Sequence, residues 1–289
     1  MSSTNTLFCG DCLDVLPQLP AAAARLIYLD PPFNTNLRRS ASVSRTARKN
    51  GAAGARATYA DSFGSPAAYV AHMRPRLTAM RRVLAFNGSL FFHCDWRMSH
   101  HVRLLLDEIF GLSNPAATAH GAPGAPGVFV NEIIWHYGLG ASRARRSLLS
   151  KHDVIFWYAN SPDYTFNLIR QEPTAAMLKK YRHLDEQGRR YMNSYGKRYL
   201  LKGGKPLDDV WDLPAIAPTS GERVGYPTQK PLALLKRIVQ LACDEGDLVL
   251  DPFCGSGTTL VAAQQLGRRW TGIDANPDAV TAARARLGE

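Results

Sequence analysis

The chain has little that would place it in or across a membrane. Its longest apolar runs fall far short of the roughly 20 residues that span a bilayer, and its opening MSSTNTLFCGDC has neither a basic flank nor an apolar core. No export signal is legible there, so a cytoplasmic protein with no membrane role is expected. Cysteine is scarce and scattered. Cys9, Cys12, Cys94, Cys243 and Cys254 offer one C-x-x-C, and no second pair or neighbouring His completes a zinc set. Reduced thiols and no metal are expected. Acid is also in short supply: 35 Lys and Arg face 24 Asp and Glu, giving a net charge of +11 and a sequence pI near 9.6. That balance favours a polyanionic partner, nucleic acid ahead of an acidic membrane surface.

The shortage of acid is local as well as global. Residues 36–57, NLRRSASVSRTARKNGAAGARA, hold Arg38, Arg39, Arg45, Arg48, Lys49 and Arg56 and no acid at all. The composition reads as a mobile basic loop. Around it the pattern is regular. ARLIYL is a short, apolar, β-prone run that leads straight into Asp30, and SPAAYVAHMRPRLTAMRRVL has helical spacing behind a Ser-Pro start. GSLFFHCDW is a second strand with Asp95 at its end, and MSHHVRLLLDEIFG a helix closing on glycine, its His100 and His101 suited to a surface or packing role. LSNPAATAHGAPGAPG reads as a surface loop, and VFVNEIIWHYG and HDVIFWYAN as strands. Alternating strands and helices imply an α/β chain with a mostly parallel central sheet and flanking helices. At 289 residues there is room for one such domain and an insertion.

Two motifs carry chemistry. In YLDPPFNT, Asp30 sits at the carboxyl end of a strand, where open α/β sheets bind ligands. Pro31 and Pro32 fix φ, supply no N–H and stiffen the turn that presents Phe33, so a rigid acceptor stands beside an aromatic face. In LVLDPFCGSGTTLVAA a strand delivers Asp251, a turn with Gly255 and Gly257 permits close approach of backbone, and a helix opens near Thr258. The Lys-Ser/Thr pair of a phosphate-binding loop is missing, and Leu260 stands where G-x-G-x-x-G needs its third glycine. The next strand ends in Asp274, 19 residues beyond Gly255, where an acid can accept from ribose hydroxyls. A nucleoside ligand is implied.

DPPF and DPFCGSGTT, with YPTQKP before the latter and GDCLDVL at the start, resemble the β-class amino-methyltransferases of bacterial DNA, in the permuted order that places the catalytic motif first and the cofactor loop last. The resemblance implies a Rossmann-like methyltransferase fold, S-adenosylmethionine as cofactor and DNA, double-stranded, as partner. A homodimer and a companion restriction endonuclease are further partners that the family admits, in a restriction-modification system or as an orphan enzyme. It implies that Asp30 and the Pro31 carbonyl accept the hydrogens of an exocyclic base amine, that Pro32 keeps the site in register and that Phe33 stacks on a base rotated from the duplex. For the cofactor it implies Asp251, Pro252, Phe253, Cys254, Gly255, Ser256 and Gly257 around the methionine portion, with Thr258 and Thr259 opening the helix beneath. Asp274 would bind the ribose, Asp11 and Cys12 would wall the adenine, and Lys230 would face the methionine carboxylate. The motif usually opens with His where this chain has Tyr226.

An acid at the head of the first motif resembles the adenine-amino type, whereas serine there is commoner in the cytosine-amino type. The expected division is 1–160 for the catalytic half with its basic loop 36–57, 161–225 for an inserted target-recognition region rich in Tyr, Lys and Arg, and 226–289 for the cofactor half. Asp209 and Trp211 of DDVWDLP read as structural. The alternatives left open are a cytosine 4-amino methyltransferase and a catalytically silent DNA-binding regulator.

Overall fold

The computed structural model describes residues 5–35, 37–40, 58–111, 127–138, 146, 148–217, 219–226 and 228–288. Two compact units are formed, one by Met1–Phe166 with Asp209–Glu289 and the other by Asn167–Asp208. The second unit is narrower than the 161–225 insertion read from composition. Residues 209–225 belong with the larger unit, because β11 (Val210–Asp212) pairs with its sheet and buries Trp211 there.

The larger unit is built on β1 (Thr6–Cys9), β2 (Ala24–Leu29), β5 (Leu84–Cys94), β6 (Val128–His136), β7 (His152–Ala159), β11, β12 (Leu248–Asp251) and β13 (Arg269–Asp274). The eight strands lie in the order β1-β13-β12-β2-β5-β7-β6-β11. Every pairing is parallel except those of β7, which runs antiparallel to both β5 and β6. A short pair, β3 (Leu37–Ser40) and β4 (Thr58–Asp61), closes the flanks of the basic stretch, and residues 41–57 lie outside those described.

Strands buried on both faces read as continuous apolar runs, and β2 is one: Leu26, Ile27 and Leu29 have no exposed surface. Burying each contributes about 1.5–3 kcal/mol, so the strand that leads into Asp30 is fixed in the core. Helices cover the faces: α1 (Cys12–Val15), α2 (Pro66–Val83), α3 (Ser99–Ile109), α5 (Leu232–Ala242), α6 (Thr258–Gln265) and α7 (Pro277–Leu287), with α4 (Ala175–Lys180) in the smaller unit. Of these, α1, α2 and α7 start on a side-chain cap. Asp11 accepts from the Leu13 N–H at 2.9 Å, Ser65 from Ala68 at 3.1 Å and Asn276 from Asp278 at 2.9 Å. Among the described residues no helix is long and apolar enough to cross a membrane.

The smaller unit contains α4 (Ala175–Lys180) and a three-stranded antiparallel sheet in the order β10 (Lys197–Leu200), β9 (Arg190–Ser194), β8 (His183–Leu184). Polar residues dominate its strands, and His183 stacks on Tyr191.

Candidate active site

Five adjacent parallel strands, β1, β13, β12, β2 and β5, each end in or just before an aspartate: Asp11, Asp274, Asp251, Asp30 and Asp95. Parallel strands put their carboxyl ends on one edge, so the sheet gathers these acids into a row. Two cavities open along it. One, of about 290 Å³, holds Asp11, Asp274, Asp251 and Asp30; the other, of about 520 Å³, holds Asp30 and Asp95. Asp30, Pro32, Thr228, Gln229 and Lys230 line both.

The first cavity brings together Asp11, Cys12, Lys230, Asp251, Pro252, Phe253, Cys254, Gly255, Ser256, Thr258, Thr259 and Asp274. Asp251, in its wall, is buried. Burial pushes its carboxyl up to about 7 against the pull of the Thr259 hydroxyl and the Phe253 N–H, and the carboxylates of Asp30 and Asp274 add to the rise. Burial likewise raises Asp274, opposed by the Asn276 and Gly255 N–H groups, both donating to it at 2.8 Å. Burial also works to raise Asp11, but the Leu13 N–H and the Arg76 guanidinium outweigh it and hold the carboxyl below the ordinary value. Arg76 and Lys230 are paired with Asp11 and Asp30, whereas Asp251 and Asp274 take neutral donors, so this wall suits a ligand that carries positive charge.

The loop after Asp251 divides its work between its glycines. Gly255, at φ +51°, lies against the Tyr226 ring, and both line the cavity. Gly257, at φ +74°, is absent from the lining. A Cβ there would stand 2.9 Å from the Ala283 Cβ, so this glycine serves the packing of α6 on α7. Arg286 of α7 secures the same loop by donating to the Ser256 carbonyl at 2.9 Å and the Thr258 hydroxyl at 2.8 Å.

The second cavity contains Asp30, Pro31, Pro32 and Phe33 together with Trp96, Trp135 and Tyr137. Its aromatic walls are tied to a buried polar chain. Tyr28 and His93 Nδ1 are 2.9 Å apart, His93 Nε2 and Asp153 3.1 Å, and the Tyr137 hydroxyl donates to Asp153 at 3.0 Å. A carboxylate only accepts, so Nε2–H points to Asp153 and Nδ1 accepts from Tyr28. Phe33 stacks on His93 with centroids 5.8 Å apart. The turn beyond is held by Asn34, at φ +57°, whose side-chain oxygen accepts from the Phe63 N–H at 2.8 Å.

Asp30 is the join between the cavities. One carboxylate oxygen is ion-paired with the Lys230 ammonium, and the other, Oδ1, is buried and engages no donor among the described residues. Lys230 was expected to face a carboxylate of the cofactor; here its ammonium is on Asp30 and 5.3 Å from the centroid of the Phe33 ring. Arg76, Arg286 and the His93–Asp153 pair escaped the motif reading, because each supports its site residue from a distant part of the chain. Their signal in the sequence was at most a charged residue on an otherwise apolar face. Asp209 and Trp211 line neither cavity. Cys9 is exposed and the other four cysteines are buried, all as free thiols. Among the described residues no cluster of three or more His, Cys, Asp or Glu is arranged to hold a metal.

The strand order, the lone reversed β7 and a ligand cavity at the carboxyl edge define the methyltransferase fold. Residues 24–285 match the N6/N4 methyltransferase family described as DNA methylase, and the chain belongs to that family. Type II methyltransferase M.EcaI of Enterobacter cloacae is 29% identical over 87% of this chain, which spans 62% of that protein. Type II methyltransferase M.HpaI of Haemophilus parainfluenzae is 25% identical over 97% of this chain and 73% of its own length. Among solved structures, the PvuII DNA methyltransferase (cytosine-N4-specific) aligns over 99% of this chain and 87% of its own, at 14% identity and a TM-score of 0.63. The M1.HpyAVI–SAM complex aligns over 98% and 99%, at 18% identity and a TM-score of 0.57.

Proposed function

We propose that the chain transfers a methyl group from S-adenosylmethionine to the 6-amino group of adenine in double-stranded DNA, after the base has been rotated out of the duplex. Asp30 carries the reading: a carboxylate with one oxygen held and the other buried and, among the described residues, unengaged, at the join of an acid-lined cavity and an aromatic one. The acid-lined cavity fits the donor. Asp274 would accept from the ribose hydroxyls, Asp11 and Cys12 would wall the adenine, and Asp251 with the loop from Pro252 to Ser256 would surround the methionine portion. S-adenosylmethionine supplies a methyl group activated by a cationic sulfur. The complex of M1.HpyAVI with SAM supports the same donor for this chain.

The acceptor is the harder partner to activate. An exocyclic amine is a weak nucleophile because its lone pair is delocalised into the base. Asp30 Oδ1 and the Pro31 carbonyl, accepting the amine's hydrogens, let the nitrogen pyramidalise and free that lone pair for direct in-line transfer. Asp30 is placed to take the proton that the amine then loses. Positioning and electrostatics supply the catalysis, with no covalent enzyme intermediate. A stacked base cannot reach such a site, so the base must leave the helix, and Phe33, Trp96, Trp135 and Tyr137 offer it apolar faces. The acid at the head of DPPF favours adenine as the target.

The test is transfer of labelled methyl from S-adenosylmethionine to unmethylated genomic DNA, read by nucleoside mass spectrometry and methylation-aware sequencing. Methylated adenine at one repeated sequence is expected. Methylated cytosine amine would retain the mechanism and overturn the choice of base, and cofactor binding without any methylated product would favour a silent DNA-binding regulator.

A further inference from the structure

We propose that Lys230 is a positioning residue for the target amine: it pins one oxygen of Asp30 so that the other alone meets the base, and it seats Phe33 beside that oxygen. The inference rests on the methyltransferase reading above and deepens it. Lys230 and Asp30 are 200 residues apart in sequence, and their paired side chains are only 11% and 16% exposed. A carboxylate so buried needs a charged partner to fix its orientation. Lys230 supplies it, and the same ammonium lies over the Phe33 ring. The acceptor and the stacking face are thereby fixed by a single cation that lines both cavities.

The segment that carries Lys230 is braced for such a task. Gln229 donates to the Glu222 carbonyl at 2.8 Å and accepts from the Val224 N–H at 3.0 Å, while the Glu222 carboxylate accepts from the Leu232 N–H at 2.6 Å. Thr228 is held at φ +64°, a left-handed conformation that a β-branched residue adopts only when its surroundings impose it. Once DNA methylation by the wild-type protein has been measured, Lys230→Met and Lys230→Arg separate this role from a contact with the cofactor. Binding of S-adenosylmethionine by calorimetry also reports whether each variant is folded. Lys230→Met is expected to lower kcat at saturating cofactor roughly 100-fold, the cost of a small misplacement at the reacting centre. Its Kd for S-adenosylmethionine should change less than about threefold, a difference worth under ~0.7 kcal/mol. Lys230→Arg should recover most of kcat, since its cation can still meet the carboxylate. A weakened Kd with kcat preserved would assign Lys230 to the cofactor and overturn the inference, as would an unchanged kcat. An inactive wild-type protein would overturn the methyltransferase reading and the inference together.

Discussion

At the scale of single residues, Asp251 ties the chemistry of the site to pH. Its carboxyl is raised to about 7, chiefly by burial, so between the ordinary carboxylate value and 7 the folded chain holds a proton that the unfolded chain has lost. The sign follows: the stabilising contribution is complete below about pH 4, falls as pH rises through that window, and is gone above 7. Asp251→Asn cannot ionise. Without cofactor its melting temperature should exceed that of the wild type, by a margin that widens from pH 4 to 7 and then levels off; a margin constant across pH would refute the assignment. A cationic ligand prefers the ionised acid, so the affinity of the wild type for S-adenosylmethionine should rise from pH 6 to 8 and that of Asp251→Asn should not, as calorimetry at each pH would measure. Asp30 answers to a different assay. Asp30→Ala should lose methyl transfer by a factor of 100 or more, on the order found when one transition-state contact is removed, while keeping most of its cofactor affinity. A fully active Asp30→Ala would sink the mechanism.

At the scale of elements, the sequence made the strands and their terminal acids legible because both are local. A short apolar run followed by Asp, Pro and Gly reads as strand and ligand turn wherever it occurs, and β2 with Asp30 and β12 with Asp251 are such runs. Partners were not legible, since the contact of Lys230 with Asp30 and that of Arg76 with Asp11 join segments that only the completed sheet brings together. The reversed direction of β7 was hidden for the same reason: residues 137–151 give no sign of which way the following strand will run. The hairpin of β9 and β10 was missed because its strands bear few apolar side chains. Its loop is Tyr195-Gly196, at φ +48° and +71°, the type I′ geometry in which Asn-Gly is preferred. The sequence instead places there a Tyr that is 98% exposed. Tyr195→Asn should relieve that conformation by up to about 1 kcal/mol and slow amide exchange along β9 and β10. If the tyrosine faces DNA, the same variant should bind its duplex less tightly. Slower exchange with unaltered binding would leave the ring without a role in recognition.

At the scale of the whole molecule, charge is divided. The sheet gathers acids along its carboxyl edge, yet the chain carries a net charge of +11. On the proposed reaction, acids that suit a cationic donor and a base amine would repel the phosphates of the DNA that delivers the base. Affinity for a duplex would then have to come from cations elsewhere. Residues 167–208 hold ten Lys and Arg against four Asp and Glu, with Lys197, Arg198 and Lys202 all exposed. Counterion release gives a slope of log K against log salt of about −0.9 for each phosphate neutralised. Replacing Lys197, Arg198 and Lys202 with Gln should flatten that slope by about 0.9 for every phosphate that is no longer neutralised, and weaken binding to all sequences nearly alike. Titrations of wild type and variant against one duplex across a range of salt would measure both effects. A loss confined to the methylated sequence, with the slope unchanged, would mean that these cations read bases. An unchanged affinity and slope would shift the electrostatic burden to the basic residues of 36–57.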